Sequence, residues 1–258
     1  MLFPIRRSRR TPLALLLVLT ALVASTLLGA PSHAGADTAG SVRLSGTVLK
    51  PAGSVLKTAG SAVAAQSSAH VVFVAASRSS SSSKEKIVAD VSVNGGTETI
   101  TEGAAVLDIR ATSTGAYIHG SSSGLTSLFG LTAAQAKTLG TKWEFWKPDT
   151  KQYTNLKSNV TAKSLQSLFP KAKGTKLSSE TSGGTSRYVL KWTSAATSTT
   201  PKLTNTLTIS TEANLPIAET STDAAGVKVT TTISKWGEPV VVHVPSPAST
   251  IASSKVTG

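Results

Sequence analysis

Residues 96–120, GTETITEGAAVLDIRATSTGAYIHG, constrain this chain more than any other stretch. Leu107, Ile109 and Ala111 fall on one side of an extended backbone, and Asp108 and Arg110 on the other. A period of two marks a strand with one apolar and one wet face. The turn-prone pairs Glu102-Gly103 and Thr114-Gly115 cut the stretch into three short antiparallel strands. An apolar sheet face must be covered, and the chain soon supplies short apolar helices. The predicted class is therefore α+β: a curved antiparallel half-barrel sheet closed by short helices around an apolar interior.

The chain opens like an export signal. Arg6, Arg7, Arg9 and Arg10 precede an apolar run over 13–28, and the small residues Ser32-His33-Ala34 and Ala34-Gly35-Ala36 follow. A basic region, an apolar run and a small-residue site predict a secretory signal peptide over 1–36, cleaved after Ala34 or Ala36. Residues 37–47 read as a loose lead, 48–245 as a single domain, and 246–258 as a disordered tail.

With 26 basic and 13 acidic residues the formal net charge is +13. Such a surplus suits either a solvated surface or attraction to anionic envelope polymers and lipid headgroups. No basic run is interleaved with aromatics, so nucleic acid is not an expected partner. A monomer is expected. The absence of cysteine excludes disulfides, thiolate catalysis and cysteine metal sites.

Helical spacing of Val48, Ala52, Val55, Leu56, Ala59 and Val63 predicts a helix starting near Pro51. A β-rich run over 69–77, a serine loop over 79–83 and a strand over 86–94 follow, and Asn94-Gly95-Gly96 signals a hairpin. Leu125, Leu128 and Phe129 form a short stripe. Thr132 reads as the N-cap of a helix over 133–139, with Gly140 as a left-handed stop. The sequence KWEFWK, 142–147, is the most aromatic stretch; Pro148-Asp149 then turns the chain and 152–156 reads as a strand. Thr161 is placed as the cap of a helix carrying Leu165, Leu168 and Phe169. From Gly174 onward all is strand, with Tyr188, Leu190 and Trp192 on one face and a last strand over 239–244.

The order of these elements, with Ala116-Tyr117-Ile118, Thr141-Lys142-Trp143, Leu215-Pro216-Ile217 and the run 233–245, resembles the actinobacterial LppX/LprG-type envelope lipoproteins. More remotely it is similar to the LolA/LolB lipoprotein carriers. The resemblance implies a half-barrel that encloses acyl chains or an acylated partner and that has no catalytic residues and no cofactor. One departure is plain: Leu27-Leu28-Gly29 is followed by Ala30, where those lipoproteins carry the lipid-anchoring cysteine. The expected product is thus secreted or wall-associated, without a lipid anchor.

Residues expected to line the interior are Leu107, Ile109, Tyr117, Leu125, Leu128, Phe129 and Leu139. Trp143, Phe145, Leu165, Phe169, Leu190 and Trp192 complete the set, since apolar and aromatic groups line cavities for greasy ligands. Two enzyme motifs compete. Ser54 and Lys57 have the S-x-x-K spacing of penicillin-recognising enzymes, without their S-D-N and K-T-G partners. Gly120-Ser121-Ser122-Ser123-Gly124 matches G-x-S-x-G, which would need His243 and Asp223 as base and carboxylate. His33, His70, His119 and His243 show no metal-ligand spacing.

Overall fold

The computed structural model describes residues 50–76, 84–196 and 201–257. The signal peptide over 1–36, the lead over 37–47 and the serine loop over 79–83 lie outside the described residues. The first strands are β1 (Ser68–Ala76), β2 (Glu85–Ser92), β3 (Gly95–Glu102), β4 (Ala105–Ala111), β5 (Ala116–Gly120) and β6 (Trp143–Trp146). The remainder are β7 (Lys176–Ser182), β8 (Thr185–Ser194), β9 (Leu203–Ser210), β10 (Pro216–Asp223), β11 (Lys228–Ser234) and β12 (Thr250–Ala252). They form one twelve-stranded sheet in the order β12-β6-β5-β4-β3-β2-β1-β11-β10-β9-β8-β7. Every pairing is antiparallel except β12 with β6. The sheet is open, with edges at β12 and β7, and a twisted sheet of so many strands must curl.

The helices are α1 (Ala52–Ala64), α2 (Ala133–Leu139), α3 (Lys151–Asn159) and α4 (Ser254–Thr257). A π-helical turn spans Gly124–Leu128, and 3₁₀ segments span Ala162–Leu168 and Pro247–Ser249. Helix α1 starts directly after Pro51, where the missing N–H costs nothing, and buries Val55, Leu56, Ala59 and Val63. A full capping box starts α2: the Gln135 N–H donates to Thr132 Oγ1 (3.2 Å), and the Thr132 N–H donates to Gln135 Oε1 (2.9 Å). Gly140 ends it at φ 59°, ψ −121°, a glycine-only conformation outside the left-handed helical region that was predicted.

Four assignments are corrected. Residues 152–156 are not a strand but the middle of α3, whose N-cap Thr150 accepts from the Tyr153 N–H (3.1 Å). Tyr153, Leu156 and Val160, all buried, fall at helical spacing, and the Tyr153 hydroxyl donates to the Thr112 carbonyl (2.9 Å). The segment 162–168 is 3₁₀, and its N-cap Thr161 makes no side-chain cap.

Residues 239–244 form no strand either. Both sides of β11 are already paired, to β1 and β10, so the chain leaving it has no free edge to join. It runs instead as a strap over the sheet's outer face. Ser68 Oγ donates to the Glu238 carbonyl, and Arg110 reaches the His243 carbonyl (2.6 Å).

The strap delivers 246–257 to the free edge of β6, and this segment is ordered rather than disordered. Ile251 pairs with Glu144, α4 follows, and Val256 is buried in the main core. A parallel strand needs such a crossover, which the strap provides.

Gly120 and Gly124 bracket the junction between β5 and the π-helical turn. An added Cβ would lie 2.3 Å and 2.0 Å, respectively, from the Val106 carbonyl oxygen. Gly124→Ala should therefore lower stability by about 1–3 kcal/mol, read as a fall in the urea midpoint, through forced displacement of backbone from β4.

Candidate ligand-binding face

Register sorts every strand residue to one of two faces. One inner row runs Trp146, Ala116, Ala111, Gly96, Val91, Ala69. The next runs Glu144, Ile118, Ile109, Glu98, Ala89, Val71, Ile233. Apolar residues of this face gather into three clusters instead of one continuous core. The largest joins β1–β5 to the π-helical turn, α2, α3 and α4. The second joins Val63 of α1 to Leu165, Leu215 and Ile233, and the third sets Val55, Leu56 and Ala59 against Leu190, Leu207 and Ile209.

Most residues predicted to line the interior are on this side. Leu107, Ile109, Leu125 and Leu139 are buried in the largest cluster, with Leu128 and Phe129 half-buried at its margin. Leu165 is buried in the second, Phe169 bridges the second and third, and Leu190 and Trp192 belong to the third. Tyr117, Trp143 and Phe145 do not line the interior. Tyr117 pairs with Phe145 across β5 and β6, on the face opposite Ala116, Ile118 and Trp146. Their rings pack together at 5.1 Å, while Trp143 lies between the His119 ring (5.0 Å) and the Arg110 guanidinium (4.3 Å). Within β6 the inward indole is Trp146, an aromatic of KWEFWK that the predicted lining set omits.

The sequence reading also missed a set of inward carboxyls. Glu85 shares the inner parity of Ile87 and Val91, Glu98 that of Ile100, Glu144 that of Trp146, and Glu219 pairs with Leu207 and Thr231. Glu98 is 5% exposed and Glu144 0%. Glu85 Oε1, Glu98 Oε2, both oxygens of Glu144 and the Trp146 Nε1–H are buried without a hydrogen-bond partner. Burial pushes all four carboxyls up to about 7. Repulsion adds to it, from Glu102 at Glu85 and from Glu85 at Glu98. Parity was the available signal: every second residue from Ile100 or Trp146 falls on the same face. By contrast, the inward Asn205 is satisfied, accepting from Ser221 (2.7 Å) and donating to Ser194 (2.9 Å).

The titratable groups of the outer face are bound to one another. His70 Nδ1 lies 2.7 Å from Asp90, His119 3.8 Å from Asp108, and Thr99 donates to Asp108 (2.7 Å). Among the described residues no three such groups gather as a metal site. The G-x-S-x-G match has a structural cause. Ser121 Oγ, not Ser122, organises the junction, accepting from the Val106 and Gly124 N–H groups (both 3.0 Å), and the flanking glycines clear Val106. The proposed partners are engaged elsewhere: Asp223 accepts from the Val227 N–H (2.8 Å) in its turn, and His243 belongs to the outer strap.

A carboxyl raised from 4.5 to about 7 holds its proton in the folded state while the unfolded chain has released it. Between those values the native state binds more protons, so stability falls as pH rises and levels off above 7. Melting should be several degrees higher at pH 5 than at pH 8. The paired substitutions Glu98→Gln and Glu144→Gln should flatten that dependence and raise the pH 8 value.

No protein-family model and no curated protein matches the chain. Among solved structures it is similar to LprF from Mycobacterium bovis, at 15% identity and TM-score 0.47, over 76% of this chain and 97% of that one. It is similar also to lipoprotein LppX from Mycobacterium tuberculosis, at 14% identity and TM-score 0.42, over 74% and 97%. A LolA superfamily protein from Nitrosomonas europaea aligns at 12% identity and TM-score 0.22, over 76% and 96%.

Proposed function

We propose that this chain is an exported, non-enzymatic binding protein of the bacterial cell envelope. It holds a lipid or acyl chain on the inner face of its sheet, beneath the short helices. The observation that carries the reading is the organisation of that face. Three apolar clusters line one side of an open sheet, the second and third meeting at Phe169, and Thr231 and Glu219 interrupt the row between the first and the third. A core evolved only for stability would fill that span with apolar side chains. The helices over it are too short to persist alone, and Leu128 and Phe129 sit half-buried where they could part to admit a chain.

Affinity would come from apolar burial, about 0.8 kcal/mol per methylene, so each added methylene should tighten binding about fourfold until the face is filled. Native mass spectrometry of the mature protein, purified from its producer without detergent, should show a discrete excess that extracts as lipid. Leu128→Asp or Phe129→Asp should abolish that excess while leaving the circular dichroism spectrum unchanged. A clean apo mass, with no thermal shift on adding lipids, would assign the chain to surface binding through its exposed lysines.

A further inference from the structure

We propose that two copies of this chain pair through the free edge of β7, antiparallel about a two-fold axis at Ser178, and so join their sheets into one. The two ends of the sheet differ. At one, β12 covers β6 as a three-residue strand and runs almost at once into α4. At the other, among the described residues, β7 pairs only with β8, which leaves one side of its backbone without a strand partner. Native sheets blunt such edges with proline, a bulge or extreme shortness. Strand β7 has none of these: it runs seven residues in unbroken register with β8. The two-residue turn Gly183-Gly184, at φ 58° and 76°, fixes that pairing tightly.

The charges on this strand indicate the partner. Lys176, Ser178 and Glu180 share the outer parity, opposite Leu177, and all three are exposed. Within the chain Lys176 stands directly opposite Lys191, a like-charge pair, and Glu180 opposite Arg187. Lys176 and Glu180 are in no ion pair, since the described ion pairs are both histidine pairs elsewhere on the sheet. Like charges facing across a ladder destabilise it, and opposite charges stabilise it. With the axis at Ser178, the Lys176 of each copy faces the Glu180 of the other, so both charges gain a partner twice over.

A strand without that spacing would leave Lys176 beside a neutral or like residue, so the same charges that deter other chains select a second copy. A two-fold contact is self-complementary and closes on itself, so association stops at the dimer. The formal net charge of +13 opposes self-association at long range, but salt screens it beyond about 8 Å, whereas the edge charges meet in contact. The contact is small, and the dimer is accordingly weak and concentration-dependent.

The absence of cysteine makes the register directly readable. Ser178→Cys sets two thiols opposite each other across the axis, within disulfide reach, whereas Ser179→Cys leaves them diagonal and beyond it. Mild oxidation of the mature protein should therefore give a covalent dimer with the first variant and little with the second. Sedimentation velocity from about 5 to about 500 µM should show a dimer fraction of the native protein that grows with concentration. Glu180→Lys or Lys176→Glu should raise its dissociation constant at least about tenfold, and the double reversal should restore it to within about threefold. All four positions are exposed, so these variants should fold as the native protein does. A native protein that stays monomeric throughout, a dimer indifferent to either single reversal, or cross-linking favoured by Ser179→Cys over Ser178→Cys would each overturn the proposal.

Discussion

Antiparallel register is the constraint on which the rest of this structure depends. Tight turns at 93–94, 103–104 and 112–115 fix how β2 to β5 pair, and pairing fixes the face to which each side chain belongs. A slip of one residue would exchange Glu98, Ile100 and Leu107 for Thr99, Thr101 and Asp108, turning the apolar face to water. The cost of that exchange holds the register firmly. It also means that a carboxyl at an inner position cannot leave for solvent by a small backbone adjustment. Glu98 is buried because Ile100 and Ile109 are.

The free edge of β6 governs the other half of the architecture. An edge strand with two tryptophans and a phenylalanine is a template for unwanted pairing. The C-terminal segment removes it: β12 joins β6, and Ile251 and Val256 contribute to the largest cluster. To arrive there the chain crosses the outer face as an unpaired strap, which explains why valines at 241 and 244 stay exposed (69% and 49%) in a β-prone sequence. The strap is anchored through backbone carbonyls, at Glu238 and His243, so its side chains are largely free of structural duty.

Much of this was legible locally. Strong alternation located β2 to β5, the Thr132 and Gln135 pair located α2, and Pro51 located the start of α1. What failed depended on distant partners. Trp143 and Phe145 read as interior because aromatic groups line apolar cavities, yet within WEFW each parity carries an aromatic ring. The register with β5 reverses that choice, and nothing within those four residues could have shown it. The serine- and threonine-rich tail looks disordered until the free edge of β6 is known. Residues 239–244 look like a strand until both neighbours of β11 are known to be taken. For the inner face, hydrophobicity identified Leu107, Ile109, Leu125 and Leu190, whereas the carboxyls were overlooked because charged residues are ordinarily assigned to solvent.

Those carboxyls conflict with the rest of the design, and the location of the conflict is informative. Sequences that specify one structure agree across levels, and departures concentrate where function opposes stability. Leucine or glutamine at position 98 or 144 would satisfy the strand pattern at lower cost, since an unpaired buried carboxyl is stabilised by nothing around it. A structural role would call for a partner, as Asn205 has in Ser221 and Ser194. Glu98 and Glu144 instead stand three strands apart among isoleucines, and the described strand lysines, Lys86, Lys176, Lys191 and Lys228, fall on the outer parity. The unsatisfied carboxyl oxygens of Glu85, Glu98 and Glu144 lie with the Trp146 N–H on the inner face, so this cost gathers on the surface proposed to receive a ligand.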